Sequence, residues 1–182
     1  MGDNFLNVDY YPLKGVSLCA DIHQLPFREN SIEAVQCMQL AEHVEDPQRM
    51  VSEIDRVLKP EGEVYLTVPF MYPYHEAPID LNRWSEEGLK SLMRELVPIQ
   101  TGVLGGPTST LVEALHGWLS ILFSFNSDKL YQINYLLLLP FLKPFKIIDR
   151  IFLNKYSSSY RMATQFYFYG KKREGHFSNT SQ

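Results

Sequence analysis

The stretch EAVQCMQLAEHVEDPQRMVSEIDRVLKPEGEVYLTVP, residues 33–69, holds a strand, a helix and a second strand in that order. Glu33 to Met38 is a largely apolar run of strand length. Asp46 is a suitable helix N-cap, and Pro47 suits the first helical position, where its missing N–H costs nothing. Met50, Val51, Ile54, Val57 and Leu58 then recur at helical spacing and mark one buried face. Lys59-Pro60-Glu61-Gly62 is a stop signal, and Glu63 to Val68 reads as a second strand ended by Pro69. Strand, crossover helix and strand form the unit of a parallel sheet. The stretch therefore predicts a three-layer α/β fold with a mostly parallel sheet.

The alternation extends both ways. Upstream, Asn4 to Val8 and Val16 to Ala20 read as short strands closing on Asp9 and Asp21. Polar residues at the carboxyl ends of such strands are where open α/β sheets bind ligands. Leu25 to Ser31 has the chemistry of a turn-containing loop. Downstream, Ser85 caps a helix whose buried face is Leu89, Leu92, Met93 and Leu96. Val97 to Leu104 is a strand closed by Gly105-Gly106-Pro107. Two apolar helical stretches follow, about 109–125 and 129–153, then an aromatic-rich strand, Met162 to Gly170. Lys171 to Gln182 is polar and expected to fray.

Composition narrows the function classes. Of 182 residues, 45% are hydrophobic and 21% charged, which excludes a disordered, collagenous or disulfide-scaffold chain. A net charge of −4 argues against a broadly basic surface for nucleic acid. Cys19 and Cys37 lie in apolar strand-like runs and are expected to be buried and reduced. The opening MGDNFLNVDYYP has neither a basic nor an apolar signal-peptide region, and Leu6 weakens a myristoylation reading. No apolar run reaches the roughly 18 residues that a spanning helix needs. The nearest, Leu130 to Leu153, is interrupted by Pro140 and Pro144 and carries Lys143, Lys146, Asp149 and Arg150. These features predict a cytoplasmic protein, with membrane association left open.

Residues 21–70 can be read as one sentence: Asp-Ile-His-Gln-Leu-Pro-Phe, Ser-Ile-Glu-Ala-Val, Leu-Ala-Glu-His-Val-Glu-Asp-Pro, Glu-Ile-Asp-Arg-Val-Leu-Lys-Pro-Glu-Gly and Thr-Val-Pro-Phe. In this order and spacing they closely resemble class I S-adenosylmethionine-dependent methyltransferases of the small-molecule kind (methyltransferase type 11). The resemblance runs from about Asn4 to Met93. Its continuation, Pro69-Phe70, His75, Pro78, Asp80, Arg83-Trp84 and Gly88-Leu89, is similar to a subgroup found near cell-surface polysaccharide genes. The resemblance implies a Rossmann-like sheet of seven strands, one of them antiparallel near the end.

It also implies a cofactor site for S-adenosylmethionine. Asp9 corresponds to the carboxylate that accepts from the ribose hydroxyls, a task that suits an acceptor-only group. Asp21 corresponds to the acidic residue at the adenine amino group, with Ile22 against the ring. Gln39 and Leu40 would flank the methionine part. Other readings stay open: Asp9 as a turn residue, Asp21 as a loop cap, Leu40 as plain core. His43 is structural or near the substrate, and its pKa range would fit a general base. His75, Glu76, Asp80 and Arg83 form the densest polar cluster. There His75 would polarise an acceptor hydroxyl or Arg83 hold an anion, with an Asp80–Arg83 loop fastener as the alternative. No metal site is expected, because no helical ligand pair is present and no second His is near in sequence.

The family's Gly-x-Gly-x-Gly loop and the first strand before it have no counterpart here, so the fold is expected to be N-terminally incomplete. Residues 1–170 would form one partial domain, with 108–155 a mostly helical apolar insertion or cap and 171–182 a polar tail. Trp118, Tyr131 and Tyr135, with Lys143, Lys146 and Arg150, suit a membrane-interface helix; a pocket cap or homodimer face is the other reading. The expected function is methyl transfer to a small or lipid-linked acceptor. The alternative is a non-catalytic interaction module of that fold; the motifs argue against a dehydrogenase-type nucleotide-binding domain.

Overall fold

The computed structural model describes residues 5–75 and 79–174. Asn4, Glu76 and Pro78, named above, lie outside the described residues. A short parallel pair comes first, β1 (Val8–Asp9) beside β2 (Leu18–Cys19). The main sheet follows: β3 (Ile32–Met38), β4 (Leu58–Pro69), β5 (Val97–Gly105) and β6 (Gln165–Lys171), in the order β3-β4-β6-β5. β3 and β4 are parallel, while β6 runs antiparallel to both β4 and β5. One strand is thus reversed against the rest, as expected.

Helix α1 (Pro47–Val57) forms as its sequence dictates: the Asp46 carboxylate accepts the Arg49 N–H at 3.0 Å, and Pro47 opens the first turn. Met50, Val51, Ile54 and Val57 are fully buried, each burial contributing roughly 1.5–3 kcal/mol. Met50, Val51 and Ile54 pack with α2 (Glu86–Leu92) on one face of the sheet, against Val64, Leu66 and Val68 of β4 and Phe166 and Phe168 of β6. On the other face Tyr65 and Tyr167 stack at 5.9 Å between ring centroids.

Several expectations are corrected. The first two strands are two residues long rather than five, because backbone pairing is confined to the contact between them. Cys19 is consequently exposed, and only Cys37 is buried. β4 begins at Leu58, before the expected turn. Its register with β3 jumps from Ile32↔Leu58 to Ala34↔Glu63, so residues 59–62 bulge. Glu61 takes a left-handed φ of 62°, and a Cβ on Gly62 would lie 2.8 Å from the Lys59 carbonyl. β6 extends through Lys171, beyond the expected end. Lys172 is buried too, its Nζ donating to Asn30 Oδ1 at 3.0 Å and the Asp55 carbonyl at 2.6 Å.

Between β5 and β6 the chain makes α3 (Pro107–Leu122), α4 (Asp128–Leu142) and α5 (Ile147–Ile151). The expected helix over 129–153 is split: Pro140 is taken into the end of α4, and Pro144 enters a 3-10 turn at Lys143–Lys146. α4 buries none of its residues, and Trp118, Leu136, Leu137 and Phe141 are exposed. Among the described residues no helix is long and apolar enough to cross a membrane.

Candidate active site

Because β3 and β4 are parallel, their carboxyl ends meet at one edge of the sheet. Gln39 leaves β3 with a left-handed φ of 50° and donates its N–H to the Thr67 carbonyl at 3.3 Å. A 3-10 turn, Ala41–His43, then carries Glu42 and His43. The loop after β4 folds over that turn. Leu81 N–H donates to the Glu42 carbonyl at 2.8 Å, and the Asn82 amide to the Val44 carbonyl at 3.4 Å. His43 Nδ1 lies 2.6 Å from the Ile79 carbonyl. A carbonyl only accepts, so Nδ1 carries a proton, and in the neutral ring Nε2 is the nitrogen with the free lone pair.

Glu42 is at the centre. It is fully buried, and neither carboxylate oxygen has a hydrogen-bond partner among the described residues. Its Oε1 is 3.6 Å from His75 Nε2 and 4.0 Å from His43 Nε2. Burial pushes its pKa up, while its own backbone N–H, both imidazoles and Arg83 pull the other way. His75 packs edge-on between His43 and Tyr72, at 5.2 and 5.4 Å between ring centroids. Its Nδ1 is 3.3 Å from Asp80 Oδ2 and 3.3 Å from the Pro73 carbonyl, both acceptors.

Asp80 also accepts the His75 backbone N–H at 3.0 Å and takes the Arg83 guanidinium in a bidentate pair. That pair, then the His75 N–H, brings its pKa down to about 2 despite burial. Arg83 further donates to the carbonyls of Asn82, Tyr72 and Pro73. Of the two readings of this pair, the geometry is that of a fastened loop.

His75 also borders a cavity of about 410 Å³ between this loop and helices α3 and α4. Tyr72, Tyr74, Tyr131, Tyr135 and Glu113 line it. Glu113 is buried and paired with Lys146. Burial, with Glu113 nearby, raises the pKa of the Tyr72 and Tyr135 hydroxyls. Tyr131 and Tyr135, for which a membrane-interface helix and a pocket cap or dimer face were both open readings, line this pocket, and Lys146 pairs with Glu113.

Asp9 and Asp21 come together on neighbouring chain segments: Asp9 pairs with Cys19, and its carbonyl accepts the Ala20 N–H at 3.0 Å. Asp9 Oδ1 accepts the Tyr11 N–H at 2.9 Å, and Asp21 Oδ1 accepts from His23 through its N–H and ring, both at 2.8 Å. The other carboxylate oxygen of each has no hydrogen-bond partner among the described residues. Ile22 packs against the core cluster. The Gln39 amide donates to Thr67 Oγ1 at 3.3 Å, and Leu40 is 37% exposed, so it is not core. Glu42, Glu113, Tyr72 and Tyr74 were not picked out from sequence; of these Glu42 had a signal, its place beside His43 in Leu-Ala-Glu-His-Val.

Residues 6–66 match the methyltransferase-domain family. A ubiquinone biosynthesis O-methyltransferase of Coxiella burnetii is 34% identical over 62 residues, 34% of this chain and 24% of that protein. An uncharacterized protein of Methanocaldococcus jannaschii is 36% identical over 58 residues, 32% of this chain and 25% of its own length. The chain thus spans about a quarter of these curated relatives. Among solved structures, the [4+2]-cyclase SpnF aligns with a TM-score of 0.52 at 17% identity, over 88% of this chain and 57% of that one. The methyltransferase in complex with the Trm112 methyltransferase activator of Haloferax volcanii aligns at 0.50 with 20% identity, over 91% and 65%. At these identities the structural likenesses establish the fold alone.

Proposed function

We propose that the chain, whose residues 6–66 match the methyltransferase-domain family, transfers a methyl group from S-adenosylmethionine to a small or lipid-linked acceptor. The observation that carries the reading is the gathering of Asp9 and Asp21 at one pair of strand ends, with His75 at the mouth of a tyrosine-lined cavity.

The residues present fit the nucleoside half of the cofactor. The uncommitted oxygens of Asp9 and Asp21 can accept from ribose hydroxyls and the adenine amino group, and Ile22 offers an apolar wall. For the methionine half the described residues offer Gln39 and Leu40. When bound, the cofactor supplies a methyl already activated by its sulfonium. The chain then has to align an acceptor, a task worth several kcal/mol without a strong base. His75 and Tyr72 meet the acceptor at the cavity rim. His43 stands behind His75 across Glu42, and Asp80 with Arg83 fixes the loop that presents it.

Titration calorimetry with S-adenosylhomocysteine tests the reading. Saturable micromolar binding that is lost in Asp9→Ala supports it. Absence of binding to the unaltered chain favours the second reading, an interaction module. That reading draws on the shortness of β1 and β2 and on the lack of a Gly-x-Gly-x-Gly turn among the described residues.

The exposed apolar side chains of α3 to α5, with Lys143 and Arg150 beside them, suit a lipid surface and thus a lipid-linked acceptor. Co-sedimentation with anionic vesicles, absent with a Leu136→Ser, Leu137→Ser, Phe141→Ser variant, would support this. Loss of self-association in that variant instead would assign the face to a homodimer.

A further inference from the structure

We propose that Glu42, His43 and His75 form a binding site for a divalent cation of the zinc type. Three facts converge on it. The two imidazoles and the carboxylate each offer one ligand atom, and all three atoms lie within 4.8 Å of one another. Both histidines hold their Nδ1 protons against fixed acceptors, His43 on the Ile79 carbonyl and His75 on Asp80 and the Pro73 carbonyl. That is the arrangement in which a metal-bound imidazole is oriented from behind and its Nε2 lone pair directed forward. Finally, Glu42 is a fully buried carboxylate, and apart from the influence of its own backbone N–H its two oxygens make no hydrogen bond to the described residues. A buried charge of this kind is costly unless paired or metal-bound.

The donor set narrows the ion. Two neutral imidazoles and one carboxylate suit zinc and the neighbouring transition metals rather than magnesium or calcium, which prefer all-oxygen sets. Zinc–ligand distances of about 2.0–2.2 Å put tetrahedral ligands about 3.4 Å apart. The Glu42–His75 and Glu42–His43 separations of 3.6 and 4.0 Å need little contraction to reach that value. Three protein ligands leave a fourth position open, and His75 links the ion to the tyrosine-lined cavity it also borders. Local spacing gives no hint of this site, since His75 arrives from the loop after another strand.

The site shares His43 and His75 with the acceptor side of the methyl-transfer reading but no residue with its nucleoside contacts, and it is tested on the full chain after chelator treatment. Zinc chloride is titrated by calorimetry, and cobalt chloride by visible absorption, which reports the geometry of the bound ion. One saturable equivalent is expected, with an intense tetrahedral cobalt spectrum. Glu42→Gln and His75→Gln, both near in size to the originals, are each expected to weaken binding by about tenfold or more, at least as much as loss of an outer-shell partner does. Absence of saturable binding, or binding unchanged in both variants, overturns the proposal. Parallel titration with S-adenosylhomocysteine separates the two readings, because the nucleoside contacts assigned to Asp9 and Asp21 share no residue with the metal site.

Discussion

Asp149 closes the N-terminus of α3 from another helix: its Oδ2 accepts the Ser109 N–H at 2.5 Å and its Oδ1 the Thr108 N–H at 2.9 Å. Gly106, at the N-cap position, has no side chain to do this, and a Cβ there would sit 3.0 Å from the Asp149 carboxyl carbon. The first N–H groups of a helix need an acceptor, and the helix dipole favours a negative one.

Asp149→Ala should cost about 1–3 kcal/mol. Burial alone would raise the Asp149 pKa, but hydrogen bonds from Ser109 and Thr108 outweigh it and hold it below the ordinary aspartate value. A lowered carboxylate pKa contributes stability above the unfolded-state value and loses it as pH falls through the folded-state value. Urea midpoints of the two proteins should therefore differ at neutral pH and converge below about pH 4. A gap that persists in acid would show that the charge is not what matters.

The two cysteines should react very differently. Burial, then the charge of Glu42, pushes the Cys37 thiol up to about 12, whereas Cys19 is exposed. Thiolate is the reactive form. Iodoacetamide followed by mass spectrometry should label Cys19 in the native protein and both residues in urea. Native labelling of Cys37 would mean that the β3 edge opens readily.

Arg83→Ala should leave Asp80 without its main partner, and the Asp80 side chain is 1% exposed. Removing one member of a buried pair costs several kcal/mol, but Arg83 is partly solvated, so about 1–3 kcal/mol is expected. The backbone between Tyr72 and Asn82 should loosen with it, visible as faster amide exchange at His75. Unchanged exchange there would contradict the fastening role.

Gly170→Ala should destabilise by about 1–3 kcal/mol through overpacking. A Cβ at this point of β6 would meet a Phe168 ring carbon at 2.4 Å and the Val97 carbonyl at 2.6 Å. The expected result is a lower melting temperature with both neighbouring strands affected; a neutral substitution would mean that β5 yields easily.

What could be read in advance follows from where the information lies. α1 was legible because its cap, its proline and its apolar spacing are all local, and each is realised. β3 and β6 kept their identity for the same reason: β3 starts one residue early, and β6 starts three residues late and runs one further. The Glu42–His43–His75 cluster was not legible, because it exists only where two loops meet above parallel strands. Nor was the pocket, whose tyrosines come from one loop and one helix and carry no motif. Lys172 looked like tail and is core-bound, since its ammonium finds partners in the turn before β3 and in α1 that only the closed sheet supplies.

The helical segment leaves the sheet after Gly105 and returns at Thr164, whose N–H donates back to the Gly105 carbonyl at 2.7 Å. Entry and exit are one hydrogen bond apart, so the segment is a cassette: a shorter graft bridging Gly105 and Thr164 need not disturb the strand registers on either side. Since two of its helices form one wall of the tyrosine-lined cavity, the shape and lining of that cavity can be exchanged by replacing the cassette while the β-scaffold stays as it is.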